Sequence, residues 1–414
     1  MFTRLNKLYH EFPQRFWIVV GTSFIDGIGN TLLFPFFALY ITQKFHIGMT
    51  QAGILLGLSS LAGLFGGILG GALADKFGRR SIILFGLVFS ALSSLAFGFT
   101  TSLAWMYPLS IIIGLIGSIS HPAHGAMVAD ILPEEKRQEG FGMLRVVNNM
   151  SWLIGPTIAG FVAAKSFTAL FISDAIISCI VAVIFYRAIP ESKPAPHPSA
   201  QPETILQTLA GYRHVLRDLA FMAFITACIL MTTTYQQMYN SLSVYLRDSH
   251  GIQPQGYGIL LSTSAITVIL FQFWTTRQIK RHPPFLMMAL GAIFYAIGFS
   301  LFGVFTTLPL FMLSVIIITI GEMIVMPILQ AVVANFAPTE MRGRYMAISG
   351  LTWLIPATIG PAAAGYILDN YNPNLVWYIG GILCLMAMLG FYGLHIRLKS
   401  KPEFAPAQKS GQPA

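Results

Sequence analysis

The chain of 414 residues is 55% hydrophobic and only 10% charged, with a mean hydropathy of +0.68 and a formal net charge of +9. A soluble protein is roughly 25% charged, so this chain has too little polar surface for a water-soluble fold. Such an apolar composition also excludes extensive disorder, and three cysteines do not make a disulfide framework. We therefore interpret the chain as a polytopic membrane protein and expect no nucleic-acid partner.

Apolar runs of about 20 residues are long enough to cross a bilayer as helices. The first run is too long for a signal peptide and is not followed by a small-residue cleavage site. In chain order we predict twelve spans, near residues 16–41, 51–74, 81–100, 104–130, 139–164, 166–188, 219–246, 256–276, 284–305, 308–335, 343–368 and 373–396.

Basic residues are distributed unevenly among the segments between these spans. With both termini in the cytoplasm, 21 of the 25 Lys and Arg residues fall on the inner side. Only Lys44, Lys165 and Arg247 fall outside, and Arg145 lies within a span. Cytoplasmic segments of membrane proteins carry an excess of basic residues. We therefore expect a multi-pass protein of the plasma (inner) membrane with both termini cytoplasmic.

The two halves of the chain match each other at an offset of 205 residues. The matching pairs include Val128–Asp130 with Val333–Asn335, Gly155-Pro156 with Gly360-Pro361, and Tyr40 with Tyr245. Such a repeat predicts an all-α integral membrane fold of two pseudo-symmetric six-helix bundles. The predicted segments are the bundles at 1–188 and 217–398, a polar cytoplasmic linker at 189–216, and a polar tail at 399–414.

A charged, glycine-rich motif separates the second and third spans. It contains Gly71, Asp75, Gly78, Arg79 and Arg80. Gly71 is the last of five glycines between positions 63 and 71. Closely spaced glycines allow another helix to approach, and the charges indicate a conformational latch at the cytoplasmic surface. An exposed loop whose charge sets only the topology is the alternative. The motif resembles the loop signature of the major facilitator superfamily, and the chain resembles its twelve-helix drug:proton antiporter branch.

A second motif of that branch is matched in the fifth span. Gly155, Pro156 and Gly160 resemble its antiporter signature. Because Gly360 and Pro361 repeat the pair in the eleventh span, both pairs could equally serve only to kink equivalent helices.

Four ionisable residues lie within the predicted spans, where each costs roughly 2.5–3.5 kcal/mol to insert and therefore marks a candidate functional site. The family resemblance implies that Asp26 and Glu322 face a central cavity, where both are candidate proton-coupling acids and Glu322 is the preferred one; a structural hydrogen bond is the alternative for each. Arg145 is expected either to pair with one of these acids or to extend towards the interface. Asp174 is interpreted as a packing or capping carboxylate.

The fourth span contains two histidines, His121 and His124. Histidine titrates near neutral pH, so His121 is a candidate proton relay, although both side chains could simply be packing groups. No cysteine or carboxylate cluster accompanies them, so we expect no metal site. The family's usual arginine in this span is replaced by Ser110, which puts the standard proton route in doubt.

Candidate substrate-binding residues carry amide, aromatic or thioether groups on the first, seventh and tenth spans. Gln236, Asn240 and Ser243 are predicted to share one helix face. Such a mixture suits an amphipathic organic ligand, whereas ties between helices are the alternative. The candidates are Asn30, Tyr235, Gln236, Tyr239, Asn240, Met326 and Gln330.

Together these patterns predict a monomeric, proton-coupled efflux antiporter for lipophilic or cationic organic compounds that works by alternating access. Its partners would be a small organic substrate, protons and the lipid bilayer, with no cofactor. The alternatives are export of a sugar or amino-acid metabolite and flipping of a lipid-linked molecule. A membrane enzyme is disfavoured because no catalytic cluster is present, and ATP-driven transport because no phosphate-binding loop is present.

Overall fold

The computed structural model describes residues 11–191, 212–279, 281–338, 341–401 and 404. Twelve helices in these ranges are long and apolar enough to cross a membrane. They are α1 (Gln14–Phe45), α2 (Met49–Phe77), α3 (Arg79–Phe99), α4 (Leu103–Ile131), α5 (Glu134–Ala163), α6 (Phe167–Ala188), α7 (Leu219–Asn240), α8 (Pro254–Ile279), α9 (Pro284–Phe302), α10 (Leu308–Phe336), α11 (Arg342–Asn370) and α12 (Leu375–Leu398). The described residues contain no β-strand, which confirms the predicted all-α membrane fold.

Several helix boundaries follow from local sequence. Asp218 accepts hydrogen bonds from the backbone N–H groups of Ala220 and Phe221, at 3.2 and 3.1 Å, and so caps the start of α7. Gly78, with a φ of +95°, lies between α2 and α3 in a conformation that strongly favours glycine. These local signals set where the apolar segments begin and end.

The seventh predicted span, 219–246, is wrong as one continuous helix. The structure ends α7 at Asn240 and begins a second helix at Leu242, which runs to His250. Between them the Ser241 hydroxyl donates to Gln237 Oε1 at 2.7 Å. Ser243 therefore lies on the second helix and does not continue the α7 face that carries Gln236 and Asn240. Hydropathy could not predict this break, because both segments are apolar enough to extend the run.

The described chain divides into two compact units. The first holds α1–α6 together with residues 253–262 at the start of α8, and the second holds α7, the remainder of α8 and α9–α12. The predicted linker 189–216 and tail 399–414 fall largely on residues 192–211, 402–403 and 405–414, which lie outside the described residues.

Helix pairings inside each unit follow the sequence repeat. In the first unit α1 packs on α5 and α6, and α3 packs on α4 and α6. In the second unit α7 packs on α11 and α12, and α9 packs on α10 and α12. The same four pairings therefore occur twice, in the order that an offset of six helices requires.

A hydrogen bond repeats in the same way. The Tyr40 hydroxyl donates to the carbonyl of Phe97 at 2.7 Å, and the Tyr245 hydroxyl donates to that of Phe302 at 2.9 Å. Tyr40 and Phe97 are each 205 residues from their counterparts, so the sequence offset is also a structural one.

Candidate functional site

A cavity of about 700 Å³ lies inside the first unit. Its walls come from α1, α2, α3, α4 and α6, and its ionisable lining residues are Asp26, His121, His124 and Asp174. An adjoining cavity of about 600 Å³ shares Asp26 and both histidines and extends to α5. The structure thus brings Asp26 and His121, two predicted proton-coupling residues, to one polar space in the apolar bundle.

Asp26 is held by its own helix. Asn30, one turn further along α1, directs its Nδ2 towards Asp26 Oδ2 at 3.4 Å. Asn30 is exposed to the cavity, as predicted for a substrate-binding residue, and lines both spaces. The amide therefore orients the carboxylate without neutralising it.

His124 connects α4 with α1. His124 Nε2 lies 3.1 Å from the Ser23 hydroxyl oxygen, and this hydroxyl donates to the carbonyl of Val19 at 2.7 Å. Because the Ser23 proton is already committed, we assign His124 Nε2–H as the donor in this pair. His124 also interacts electrostatically with His121, so a proton on one ring opposes a proton on the other.

Asp174 was interpreted from sequence as a packing carboxylate, but the structure places it on the cavity wall. It is 5% exposed and accepts a hydrogen bond from the Ser94 hydroxyl of α3. Its interaction with Asp26 is electrostatic. One signal could have found it: Asp174 lies in the interior of α6, the span with the highest mean hydropathy, 2.4.

In the second unit Glu322 lies among tyrosines. The half-buried carboxyl, on α10, interacts electrostatically with Tyr235 and Tyr239 of α7 and with Tyr295 of α9. The hydroxyls of Tyr235 and Tyr239 are hydrogen-bonded to each other at 3.0 Å. Sequence analysis missed Tyr295, because nothing in the pattern of α9 distinguishes this aromatic residue from the others.

The remaining predicted substrate-binding residues have mixed environments. Gln236 donates from Nε2 to the carbonyl of Trp353 at 3.0 Å, which links α7 with α11. Asn240 is buried at 5% exposure, Met326 is half-buried and Gln330 is exposed. The alternative reading, in which the α7 amides tie helices together, therefore describes Gln236 well.

Arg145 is exposed on α5. Within the described residues it forms no ion pair with Asp26 or with any other acid. Its pairing with one of the acids and the alternative, extension towards the interface, both stay predictions.

The predicted latch residues form a network within the first unit. The Arg79 side chain, 8% exposed, pairs with Asp75 at 3.4 Å and with Asp130 at 3.2 Å. The network thus ties the end of α2, the start of α3 and the end of α4. Asp130 was not among the predicted latch residues; it belongs to the repeated Val128–Asp130 segment, which could have indicated it.

Arg80 and Gly78 extend this network to the end of α6. Arg80 donates to the carbonyl of Tyr186 at 2.5 Å and lies over its ring at 4.7 Å. The Glu191 carboxylate accepts from the backbone of Arg80 at 3.1 Å, close to Gly78. Gly71 faces open space.

The Gly155, Pro156 and Gly160 motif serves close packing inside the first unit. A Cβ on Gly155 would collide with Thr31 of α1, and one on Gly160 would lie 2.9 Å from the carbonyl of Pro254. Neither Pro156 nor Pro361 interrupts its helix, and a Cβ on Gly360 would lie 2.8 Å from Gln237 Nε2. The two glycine-proline pairs therefore share a role in helix approach.

A repeated six-helix arrangement around buried acids is typical of membrane transport proteins. The chain matches the family model described as Major Facilitator Superfamily over residues 19–253 and 229–414. These matches cover most of the sequence, and the chain therefore belongs to the Major Facilitator Superfamily.

Two relatives illustrate the range of functions named in the family. The chain is 25% identical to a "Na(+), Li(+), K(+)/H(+) antiporter" of Planococcus maritimus, over 83% of this chain and 87% of the relative. It is 23% identical to "Multidrug resistance protein 2" of Bacillus subtilis, over 97% of this chain and 100% of the relative.

Solved structures show the same fold. A POT family transporter in complex with a thioalcohol-conjugated peptide aligns with a TM-score of 0.79 at 15% identity, covering 94% of this chain and 99% of that chain. A D-xylose-proton symporter aligns with a TM-score of 0.70 at 17% identity, covering 92% and 97%. The chain is thus a multi-pass membrane transporter rather than an enzyme.

Proposed function

We propose that this protein is a proton-coupled antiporter that exports small organic cations across the plasma membrane by alternating access. The observation that carries the proposal is the cavity in the first unit, where Asp26 and Asn30 share a polar space with His121 and His124. Intramembrane acids that face such a space are typical of proton and substrate pathways. The names of the two antiport and drug-resistance relatives support the same class of transport.

The chemistry of exchange follows from competition for carboxylates. A proton and an organic ammonium group both neutralise a membrane-buried carboxylate, and a site occupied by one has less attraction for the other. Asp26 can therefore bind either the cationic substrate or the exchanged proton, and Glu322 is a second candidate acid for that proton.

The available driving force depends on the charge of the substrate. One pH unit supplies about 1.36 kcal/mol per proton, and 100 mV adds about 2.3 kcal/mol per charge moved. A neutral substrate exchanged for one proton uses both, which supports a gradient of several hundred-fold. A univalent cation exchanged for one proton moves no net charge, so one pH unit supports only about tenfold accumulation.

A second candidate is export of a polar metabolite, such as a sugar or an amino-acid derivative. It is favoured by the hydroxyl groups on the cavity wall, which offer many hydrogen-bond partners. Nine lining residues carry them: Thr22, Ser23, Ser59, Ser60, Ser90, Ser93, Ser94, Ser118 and Ser120. Several, including Thr22 and Ser60, donate to their own helix backbone and so present mainly acceptor lone pairs, which also suits an ammonium group.

Purified protein in proteoliposomes with an imposed pH gradient tests the proposal. The panel should contain cationic, neutral and lipid-like compounds, each measured with and without an additional membrane potential. We expect gradient-dependent accumulation of a cationic compound that is insensitive to the potential. Accumulation of a neutral polar compound that responds to both would favour the second candidate, and no gradient-dependent transport of any compound would reject proton coupling.

A further inference from the structure

Asp174 is a buried carboxylate at the meeting point of three helices. It lies on α6, accepts the Ser94 hydroxyl of α3 and abuts Gly29 of α1, where an added Cβ would lie 2.6 Å from its Oδ1. Within the described residues no basic side chain forms an ion pair with it. Insertion of an ionisable residue into the membrane costs free energy, and Asp174 lies in the most apolar span. Among the described residues its one polar partner is a hydroxyl, so packing alone gives no reason for a carboxyl at this position.

Asp174 and Asp26 face the same cavity and interact electrostatically. Two carboxylates that share a site repel each other, and any cation that enters the site relieves this repulsion. The glycine at position 29 is what allows the approach, because a larger residue there would displace the Asp174 carboxyl from α1. Burial of two neighbouring carboxylates costs more free energy than burial of one, yet the structure places both acids on the same cavity.

The other groups around this pair are few. α4 contributes His121 and His124, and the lining residues of α2 and α3 are hydroxyl-bearing or apolar. α5 reaches the adjoining cavity with Asn148 and Trp152. Among the described residues the titratable groups that face the acid pair are therefore the two histidines, which already oppose each other's protonation.

We propose that Asp174 and Asp26 together bind one exchangeable proton, which a cationic substrate displaces from the cavity. The inference rests on the proposed antiport function and adds Asp174 as a proton-binding residue. Binding transfers a proton from water to one carboxyl oxygen, and release returns it to water, so no other reactant is needed. The Ser94 hydroxyl positions Asp174 by donating to its ionised form.

A packing role and a proton-binding role make different predictions for Asp174→Asn. Asparagine has nearly the same shape and can still accept the Ser94 hydroxyl through its amide oxygen, so packing is preserved. It cannot exchange a proton. If Asp174 is a packing group, the variant behaves as the wild type; if it binds the proton, gradient-driven transport is lost.

The direct readout is infrared difference spectroscopy of the purified protein across a pH titration, which detects the carbonyl band of protonated carboxyl groups. We expect the wild-type band to be altered in Asp174→Asn and in Asp26→Asn, and unchanged in the control Asp369→Asn, which alters an exposed acid. An unaltered band and titration in Asp174→Asn would overturn the proposal. This measurement requires no substrate.

Transport provides the second readout. In proteoliposomes with one pH unit across the membrane, Asp174→Asn should lose the roughly tenfold accumulation that the gradient supports, while downhill exchange survives. Absence of accumulation in the wild type as well would reject the antiport function, whereas the infrared result would still decide on the acid pair. Accumulation by Asp174→Asn equal to that of the wild type would reject the pair alone.

Ser94→Ala keeps both carboxyl groups and provides a second test of the same site in case Asp174→Asn does not fold. A hydrogen bond to one protonation state of a carboxyl changes its titration, so removal of this hydroxyl should displace the titration of the pair from that of the wild type. The pH profile of transport should move in the same direction as the infrared titration. Identical titrations of Ser94→Ala and wild type would contradict the assignment of Asp174 to the proton site.

Discussion

Individual acids in the two units differ in their surroundings. Asp26 faces amide, carboxyl and imidazole groups, whereas Glu322 interacts with three tyrosine hydroxyls. Tyrosine hydroxyls can donate to a carboxylate or accept from a carboxylic acid.

Glu322→Gln tests the coupling role of this residue. Glutamine has the shape of a protonated glutamate but cannot release a proton, so pH-driven uphill transport should be abolished while downhill exchange survives. Substrate accumulation in proteoliposomes with and without a pH gradient measures the effect. Glu135→Gln is the matched control, because Glu135 is exposed. Wild-type accumulation by Glu322→Gln would transfer the coupling role to the acids of the first unit.

Sequence was a good guide to which residue types matter and a poorer guide to their neighbours. Asp26, Asn30 and His121 were predicted and share one cavity. The interpretation of Asp174 as a packing or capping carboxylate agrees with its burial, but its contacts with Ser94 and Asp26 join helices that are distant in sequence and could not be predicted. Arg145 was grouped with the acids by its position in a span; it is exposed on α5, and its role stays a prediction.

At the scale of the helix, Arg79 pairs with two acids, Asp75 within the motif and Asp130 outside it, that differ in exposure. The Asp75 side chain is 75% exposed and that of Asp130 is 27% exposed. An exposed ion pair contributes at most about 1 kcal/mol, whereas loss of a less exposed partner leaves the buried guanidinium poorly compensated. The connection between α3 and α4 should therefore matter more than the one between α2 and α3.

Asp130→Asn should lower both thermal stability and transport rate more than Asp75→Asn does. The unfolding temperature in detergent and the initial rate of uptake measure the two effects, and Asp369→Asn provides the control. If Asp75→Asn is the more damaging variant, the motif acts mainly through its exposed carboxylate and the contact with α4 is secondary.

The short helix Leu242–His250 carries a pH-sensitive contact outside the spans. The His250 ring lies 5.0 Å from the rings of both Tyr245 and Phe311, and burial lowers the pKa of its imidazole from the usual 6.5. Because the unfolded chain binds this proton more readily, the contribution of the contact to stability is present above about pH 6.5 and is lost as the pH falls.

His250→Gln should therefore weaken the acid dependence of the unfolding temperature in detergent. The exposed His282 supplies the control, and His282→Gln should leave that dependence as it is in the wild type. An unchanged dependence in His250→Gln would show that the imidazole is not protonated on unfolding in this range.

Periodicity and charge predicted the twelve helices well, because each needs only an apolar run of sufficient length. Breaks within them escaped prediction. The turn at Phe34–Phe36 in α1 occurs inside apolar sequence, and the break at Ser241 follows a polar stretch of α7 that did not by itself indicate a helix end. Their causes are local backbone geometry and hydrogen bonds such as that of Ser241 with Gln237, which composition does not contain.

At the scale of the whole molecule, the repeat is visible in the structure as paired helix contacts and paired tyrosine hydrogen bonds. The two units have nevertheless diverged in their acids: Asp26 and Asp174 belong to the first, and Glu322 belongs to the second.

Orientation in the membrane is tested by labelling. Glu135 and Ser249 are both exposed and lie on opposite sides in the predicted topology. In a variant without Cys179, Cys228 and Cys384, an impermeant thiol reagent added to intact cells should label Ser249→Cys and spare Glu135→Cys. The reverse pattern would place the termini outside the cell.

Proton movement that is triggered by substrate tests the central claim most directly. Proteoliposomes with an imposed pH gradient and an internal pH-sensitive dye report proton flux when a transported cation is added. The account predicts that the substrate dissipates the gradient at a rate proportional to its own flux. Substrate flux that leaves the pH gradient unchanged would contradict proton-coupled exchange.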